Sequence, residues 1–267
     1  MPSLSFLLAY LVFGAVAGII AGLLGVGGGI VVVPALFWFF TAQGFSQELI
    51  MQMALGTSLA AIMFTSVSSL RAHHRRGAVV WPIVKAITPG ILVGTFLGSC
   101  VAAKLSTGFL KGFFVAFLYY VSIQMLLNIK PKAHRQIPGK FGMFGAGLAI
   151  GAVSSLVGIG GGTMSVPFMV WCNVAMHTAV GTSAAIGFPI ALAGTIGYII
   201  NGLGAPNLPS LSFGYIYLPA LFGVAAVSVL TAPYGAKLAH KLPVATLKRF
   251  FAVFLLAMAT RMLWSMF

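Results

Sequence analysis

Hydrophobic residues run along this chain in long stretches that polar residues interrupt at only a few places. The apolar runs between these interruptions predict ten helical segments, five in each half. The predicted segments are 5–25, 28–41, 48–70, 78–102 and 109–128, followed by 141–157, 162–175, 178–200, 214–236 and 246–265. The second segment of each half covers about 14 residues, fewer than the roughly 20 that cross a bilayer, so we predict a partial helix there.

Two stretches of the chain, 1–47 and 141–236, contain no Lys, Arg, Asp or Glu. Since one membrane span takes about 20 apolar residues, each stretch must enter or cross the bilayer more than once. The composition agrees, because 60% of the residues are hydrophobic and only 6% are charged, whereas about a quarter of a soluble domain is charged. The sequence therefore predicts an all-α, multi-pass membrane protein that forms a single membrane domain over 1–267 and is surrounded by the lipid bilayer.

A short glycine-rich motif occurs twice. Residues 25–34 are Gly-Val-Gly-Gly-Gly-Ile-Val-Val-Val-Pro, and residues 158–167 are Gly-Ile-Gly-Gly-Gly-Thr-Met-Ser-Val-Pro. A helix broken at membrane depth is tolerated only where protein or a water-filled cavity surrounds the exposed backbone. Glycine also serves tight helix packing, but paired breaks in two halves of a chain indicate a transporter's binding site. We therefore predict that the two motifs mark such a site.

The two halves are repeats of each other along nearly their whole length. The sequence Ala-Leu-Gly-Thr-Ser at 54–58 returns as Ala-Val-Gly-Thr-Ser at 179–183, and the Lys-containing stretch 103–114 corresponds to 240–251. Matches in the same order along both halves indicate an internal duplication. The predicted division is repeat one at 1–128, a basic linker at 129–140 and repeat two at 141–267.

The basic residues indicate how the repeats are oriented. If the first two segments of each half form a hairpin that enters and leaves on one side, the second repeat is inverted relative to the first. Twelve Lys and Arg residues then lie in the cytoplasm and three outside, against nine and six if each glycine-broken pair crosses once. Because Lys and Arg favour cytoplasmic loops, we predict two inverted-topology repeats, each a glycine-broken hairpin plus three transmembrane helices. Both termini are then outside.

The glycine breaks are the candidate binding site. A helix that starts at a glycine-rich turn presents unpaired N–H groups and the positive end of its dipole, which together bind anions. The hydroxyl groups nearby either line the site or bond their own backbone. The first motif has Ile30 and Val32 where the second has Thr163 and Ser165, so the predicted site is chemically asymmetric. The candidate substrate-binding residues are Gly27, Gly28, Gly29, Thr57, Ser58, Gly160, Gly161, Gly162, Thr163, Ser165, Thr182 and Ser183.

The charged residues favour an anionic substrate. Glu48, the one acidic residue, is predicted in an outer loop, so the membrane segments offer no carboxylate to neutralise a cation. A site of N–H and hydroxyl groups in a chain of net charge +14 suits a small anion. His177 and its counterpart Gln52 are candidates for proton coupling or for lining the site, and a position at the membrane interface is the alternative for His177.

Other functions lack the residues that they require. The basic residues are scattered at segment ends and do not alternate with aromatic residues, which argues against nucleic-acid binding. Cys100 and Cys172 have no metal-ligand spacing, so no metal or cofactor is expected. An intramembrane enzyme would need a nucleophile–base pair or metal ligands, and the sequence supplies neither. A channel and a non-transporting membrane subunit stay open as alternatives, as does assembly into a homo-oligomer.

The paired G-x-G-G-G-x-x-x-x-P motifs, the paired Gly-Thr-Ser motifs and the length together resemble the TauE/SafE family of bacterial sulfite exporters and related anion permeases. The resemblance covers essentially the whole chain. It implies a multi-pass protein of the bacterial inner membrane that moves sulfite, organosulfonates or similar sulfur oxyanions, and it favours export. Only the glycine and Gly-Thr-Ser positions carry over as site residues. Since no cationic residue of the family is matched, charge neutralisation is expected to rest on the backbone.

Overall fold

The computed structural model describes residues 3–24, 28–127, 135–239 and 244–266. Within these ranges the chain forms ten α-helices and one short β-hairpin. The helices of the first half are α1 Leu4–Leu24, α2 Gly29–Ala42, α3 Ile50–Arg75, α4 Trp81–Lys104 and α5 Thr107–Leu126. Those of the second half are α6 Lys140–Val157, α7 Gly162–Trp171, α8 Met176–Gly202, α9 Leu218–Ala239 and α10 Val244–Trp264.

The lengths of the helices match those of a membrane protein. In the described part of the chain, seven helices are long and apolar enough to cross a bilayer, namely α1, α3, α4, α5, α6, α8 and α9. By contrast, α2 has 14 residues and α7 has 10. At about 1.5 Å per residue these two helices are much shorter than the roughly 30 Å of a hydrocarbon core. The prediction of an all-α, multi-pass membrane protein is confirmed.

Three predicted boundaries differ from the structure by four residues or more. The helix expected to end at 70 continues to Arg75. The segment expected to begin at 214 starts instead at Leu218, because Ser212–Phe213 pairs antiparallel with Ile216–Tyr217 as strands β1 and β2. The helix expected to run to 175 ends at Trp171. Asn173 then adopts a left-handed backbone conformation with φ 64, which an α-helix cannot continue through.

Helices α3 and α8 form the centre of the molecule. In the most apolar part of each helix, 83% of the residues of α3 and 72% of those of α8 are buried, against 22% for α1. The peripheral helices carry exposed apolar side chains, among them Leu8, Val12 and Leu97. This distribution fits a bundle whose outer surface contacts lipid and whose interior contains the central pair.

Two pairs of helices, α3–α8 and α5–α10, pack antiparallel. In the α3–α8 pair, Gly56 lies against Tyr198 near one end, and Gly187 lies near Ser66 closer to the middle of both helices. The α5–α10 pair has the same arrangement. The Nζ of Lys111 donates to the carbonyl oxygen of Ser265 at 2.9 Å, and the Tyr119 and Thr260 hydroxyls bond at 2.9 Å. In each of these two pairs, the helix therefore runs opposite to the helix that it packs against.

Two further large contacts join α1 to α9 and α4 to α6, and each of these pairs runs parallel. Glycine permits the contact in both. A Cβ on Gly14 of α1 would lie 2.8 Å from the carbonyl oxygen of Val224, and a Cβ on Gly94 of α4 would lie 2.7 Å from the Cα of Leu148. Because α1 corresponds to α6 and α4 to α9, the two contacts are equivalent under exchange of the halves. Each half therefore packs its first helix against the fourth helix of the other half.

Candidate functional site

The second glycine motif interrupts the chain between α6 and α7. Gly158 ends α6 with φ 67, and Gly161 precedes α7 with φ 75 and ψ −8. Side chains disfavour these left-handed conformations, whereas glycine adopts them without a steric penalty. The prediction that this motif breaks the helix agrees with the observed geometry.

The first motif has the same conformation where the structure describes it. Helix α1 ends at Leu24, and Gly28 precedes α2 with φ 73 and ψ −13, close to the values at Gly161. The predicted site residue Gly27 lies outside the described residues. Two short helices thus begin at equivalent glycines with nearly identical backbone angles.

The start of α2 and the second break are in direct contact. A Cβ placed on Gly29 would lie 2.6 Å from the carbonyl oxygen of Gly158 and 3.0 Å from the Cα of Ile159. The Oγ of Ser58 donates to the same carbonyl oxygen at 2.8 Å. The structure therefore brings three of the predicted features together, namely the first motif, the second motif and a serine of the first Gly-Thr-Ser sequence.

The depth of this contact follows from the position of Ser58 along α3. Ser58 lies about 12 Å from Ile50, where α3 begins, at 1.5 Å per residue. Since a hydrocarbon core is about 30 Å thick, this places Ser58 and the carbonyl group it contacts well inside the protein rather than at its surface. The Ser58 side chain is fully buried, in agreement.

The first turn of α7 retains unused hydrogen-bond donors. The N–H groups of Met164 and Ser165 both donate hydrogen bonds to the carbonyl oxygen of Gly161, at 3.0 and 2.8 Å. For the N–H groups of Gly162 and Thr163, the described residues supply no acceptor. The Oγ1 of Thr163 is buried and likewise has no partner there. This helix end has the free donors that an anion-binding helix N-terminus requires.

Two serines of the second half meet beside these donors. Ser165 on α7 donates its hydroxyl to the Oγ of Ser183 on α8 at 2.9 Å, and both side chains are buried. Ser183 is the counterpart of Ser58 in the second Gly-Thr-Ser sequence. The structure thus groups Gly161, Gly162 and these hydroxyl residues, as the sequence predicts, around the start of one short helix. Gly160 is part of the same interruption, and its carbonyl oxygen lies 3.2 Å from where a Cβ on Gly187 would be.

The two threonines of the Gly-Thr-Ser sequences join the halves. The Oγ1 of Thr57 accepts from the N–H of Tyr217, and the Oγ1 of Thr182 accepts from the N–H of Val80, both at 3.0 Å. Tyr217 directly precedes α9 and Val80 directly precedes α4, so the two bonds are equivalent under exchange of the halves. This geometry gives the threonines a structural contact, and their predicted contact with substrate stays a prediction.

Replacing Thr57 or Thr182 with Val should lower the stability by about 1–3 kcal/mol, because a buried N–H group loses its acceptor. The measurement is thermal unfolding of the purified protein in detergent. Thr41→Val is the matched control, since the Thr41 hydroxyl is exposed and bonds only the Phe37 carbonyl oxygen of its own helix. Equal losses in all three variants would contradict a specific role for the contacts between halves.

Gln52 and His177, the candidate coupling residues, have other surroundings. The buried Gln52 donates from Nε2 to the carbonyl oxygen of Leu105 at 2.8 Å, and its Oε1 accepts from the Thr107 hydroxyl at 3.3 Å. These bonds attach the start of α3 to the turn between α4 and α5. His177 is exposed in the first turn of α8. The geometry places both residues at helix ends, and their coupling role stays a prediction.

Ser154 is a buried polar residue beside the second break that the sequence analysis did not single out. It lies on α6, its side chain is fully buried, and its Oγ has no partner among the described residues. That oxygen lies 3.5 Å from the position of a Cβ on Gly161, next to the start of α7. One available signal was the alignment of the two motifs, which pairs Ser154 with Ala21 and so shows a polar residue in one repeat only.

The surroundings of both breaks are tightly packed. A cavity beside Gly28, which Ala21, Ile62 and Thr65 help to line, measures about 10 Å³. That is space for about one water molecule. In the second half, the Cδ1 of Ile190 contacts the position that a Cβ on Gly161 would occupy. An anion would therefore have to displace side chains to reach either helix end.

Acidic and metal-binding groups do not contribute to the site. Glu48, the one acidic residue of the chain, is exposed in the loop before α3. In the part of the chain that the structure describes, no group of His, Cys, Asp and Glu is placed to hold a metal ion. The chemistry available at the breaks is that of N–H and hydroxyl groups.

The family model described as sulfite exporter TauE/SafE matches residues 10–262 of this chain. The chain belongs to the TauE/SafE family. A relative from Haemophilus influenzae, named as a probable membrane transporter protein, is 37% identical over 260 residues, which are 97% of this chain and 98% of the relative. The probable membrane transporter protein YunE of Bacillus subtilis is 31% identical and aligns over 72% of this chain and 77% of its own. No solved structure matches this chain.

A second Bacillus subtilis relative, the probable membrane transporter protein YdhB, is 28% identical and aligns over 89% of this chain and 91% of its own. The matches confirm the resemblance seen in the sequence motifs. Together with the apolar helices, they identify a multi-pass membrane transporter rather than an enzyme.

Proposed function

We propose that this TauE/SafE protein exports a small anion across the bacterial inner membrane, with sulfite or an organosulfonate as the leading substrate. The anion is held at the N-termini of the two short helices and is released by alternating access. The observation that carries the proposal is the pair of left-handed glycines, Gly28 and Gly161, each at the start of a short helix inside the protein. Such paired helix ends suit an anionic group in a transporter.

The charges of the chain support an anionic substrate. The net charge is +14 and the one carboxylate is exposed in a loop, so a cation would have no buried counter-charge. Two cationic groups lie beside α2. The Nζ of the buried Lys111 is 4.7 Å from the ring centre of Phe37, and the guanidinium of Arg261 is 3.7 Å from that of Trp38. Positive groups near the end of α2 attract anions toward the protein.

Inverted repeats supply the means of alternating access. The proposed units are repeat one at 1–128 and repeat two at 141–267, joined by the basic linker 129–140, with both termini outside. The antiparallel packing of α3 against α8 and of α5 against α10 supports this arrangement, because parallel repeats would place corresponding helices in the same direction. Rocking of one repeat against the other then exposes the glycine breaks to each side in turn.

The electrical potential favours export. In a cell whose interior is negative, an anion gains about 2.3 kcal/mol per charge per 100 mV when it moves outward. Uptake would need a coupled ion, and the geometry of Gln52 and His177 does not supply an evident coupling site. The second candidate function is a permease for another small anion, such as a carboxylate, which the same N–H groups would also bind.

Purified protein in liposomes should exchange internal sulfite for external labelled sulfite with saturable kinetics. The panel should include sulfate, methanesulfonate and acetate, and sulfite or the sulfonate should compete best. A preference for acetate would favour the second candidate, and unitary currents in a planar bilayer would indicate a channel. Absence of exchange for the whole panel, with the protein correctly folded, would contradict the proposed function and favour a non-transporting subunit.

A further inference from the structure

The polar atoms near the glycine breaks are distributed unequally between the two repeats. Around the start of α7 they comprise the hydroxyls of Ser154 and Thr163, both without partners in the described part of the chain, and the bonded pair Ser165 and Ser183. The repeat alignment places Ala21, Ile30 and Val32 at the positions of Ser154, Thr163 and Ser165. At these three positions the first break thus has apolar side chains where the second has hydroxyls, although Thr65 and Ser228 also lie near Gly28.

An unpartnered buried hydroxyl destabilises the folded protein. Ser154 is 0% exposed, and nearly all such groups in proteins are hydrogen-bonded. Its neighbour Ser155 is equally buried but donates to the carbonyl oxygen of Ala152 at 2.8 Å. Ser154 could satisfy its own backbone in the same way, one turn back, yet its oxygen lies beside Gly161 instead. This orientation of the hydroxyl is explained if it forms a hydrogen bond with a ligand rather than with the protein.

Resting on the proposed function, we infer that Ser154 is a substrate-binding residue and that repeat two supplies most of the contacts to the anion. The hydroxyls of Ser154 and Thr163 and the free N–H groups of Gly162 and Thr163 belong to one helix end and to the α6 residue that faces it. Donors on both the backbone and side chains suit an anion with several oxygen atoms, because each oxygen accepts from a different direction.

The first break completes this arrangement. Gly29 packs against Gly158 and Ile159, so the first break lies against the second rather than apart from it. The apolar side chains at the three aligned positions of the first break lower the local polarity, and hydrogen bonds to an anion are stronger where water is excluded. Both helix ends therefore contact the anion, and repeat two supplies the additional hydroxyls that recognise it.

Ser154→Ala and Thr163→Val test the inference, with Ser155→Ala as the matched control. Sulfite is titrated into each purified protein by calorimetry, and methanesulfonate is the second probe. We expect Ser154→Ala and Thr163→Val each to weaken binding roughly tenfold or more, since each removes a hydrogen bond to a charged group. Ser155→Ala should bind within about twofold of the unmodified protein, because its hydroxyl already bonds the backbone.

Thermal unfolding without added anion separates binding from structure. Ser154→Ala should unfold at the same temperature as the unmodified protein or higher, because it removes an unpaired buried hydroxyl. Weaker binding together with a lower unfolding temperature would show a structural role and overturn the inference. Unchanged binding in Ser154→Ala would also overturn it while leaving the proposed function intact. If the unmodified protein binds neither probe and exchanges no anion, the proposed function fails and the inference fails with it.

Discussion

Gly28→Val and Gly161→Val should each reduce anion exchange to background while the protein still inserts in the membrane. Both glycines have left-handed conformations, with φ 73 and 75, which cost a β-branched residue about 1–3 kcal/mol. To relieve that strain, the start of the short helix must change its backbone angles. The N–H groups that we assign to the anion would then point elsewhere. The measurement is counterflow of labelled sulfite in liposomes at matched protein content.

The space around the two glycines adds to the expected effect. At Gly161 a new Cβ would contact the Cδ1 of Ile190, and at Gly28 it would lie 3.0 Å from the Cβ of Ala21. Since such contacts require neighbours to move, valine would also alter the side chains over the helix ends. Gly161→Val should be the more damaging change for substrate binding, because the free hydroxyls lie on that side.

Gly44→Val and Gly204→Val are the matched controls. These glycines have φ 72 and 79, but no atom lies within 4 Å of an added Cβ. Their backbone strain is therefore similar, although they lie outside the breaks. We expect both controls to retain exchange. An equal loss of anion exchange in the controls would show that the effect is general destabilisation. Retained exchange in both Gly28→Val and Gly161→Val would contradict the proposed binding site.

Gly147→Ala should destabilise the protein markedly, whereas Gly145→Ala should not. Both glycines lie on α6, but a Cβ on Gly147 would contact the carbonyl oxygen of Ile87 and lie 3.0 Å from the N of Ile91. These are backbone atoms of α4, so the two helices would have to separate. Overpacking of this kind costs about 1–3 kcal/mol and occasionally more. Since α4–α6 is one of the large contacts between the halves, we expect loss of monodisperse protein.

At Gly145 no atom lies within 4 Å of an added Cβ. Alanine is the better helix former, so Gly145→Ala should be neutral or stabilising by up to about 1 kcal/mol. The measurements are the yield of monodisperse protein in detergent and its unfolding temperature. Gly14→Ala provides a second test, because Gly14 is the counterpart of Gly147 and packs against Val224. Equal behaviour of the Gly145 and Gly147 variants would disprove the role of glycine in this contact.

The hydrophobic pattern was sufficient to locate all ten helices. An apolar run long enough for the bilayer has few alternatives to a helix, because every backbone polar group must be bonded within the segment. The glycine motifs were equally informative about local structure, since consecutive glycines between apolar runs permit the left-handed conformations observed at Gly28, Gly158 and Gly161. The boundaries at 70, 175 and 214 were missed. A positive φ at Asn173 and a strand pair before α9 depend on packing that the local pattern does not encode.

The sequence by itself determined the class of protein and the position of the glycine motifs, because these follow from local hydrophobicity and from short runs of residues. The tertiary structure alone decided which hydrogen-bond partners the polar side chains have. It directed Thr57 and Thr182 to backbone N–H groups of the opposite half and left Ser154 beside Gly161. The physical reason is that a hydroxyl forms a hydrogen bond with a donor or acceptor that lies within about 3 Å. Residues more than 100 positions apart along the chain come that close only in the folded protein.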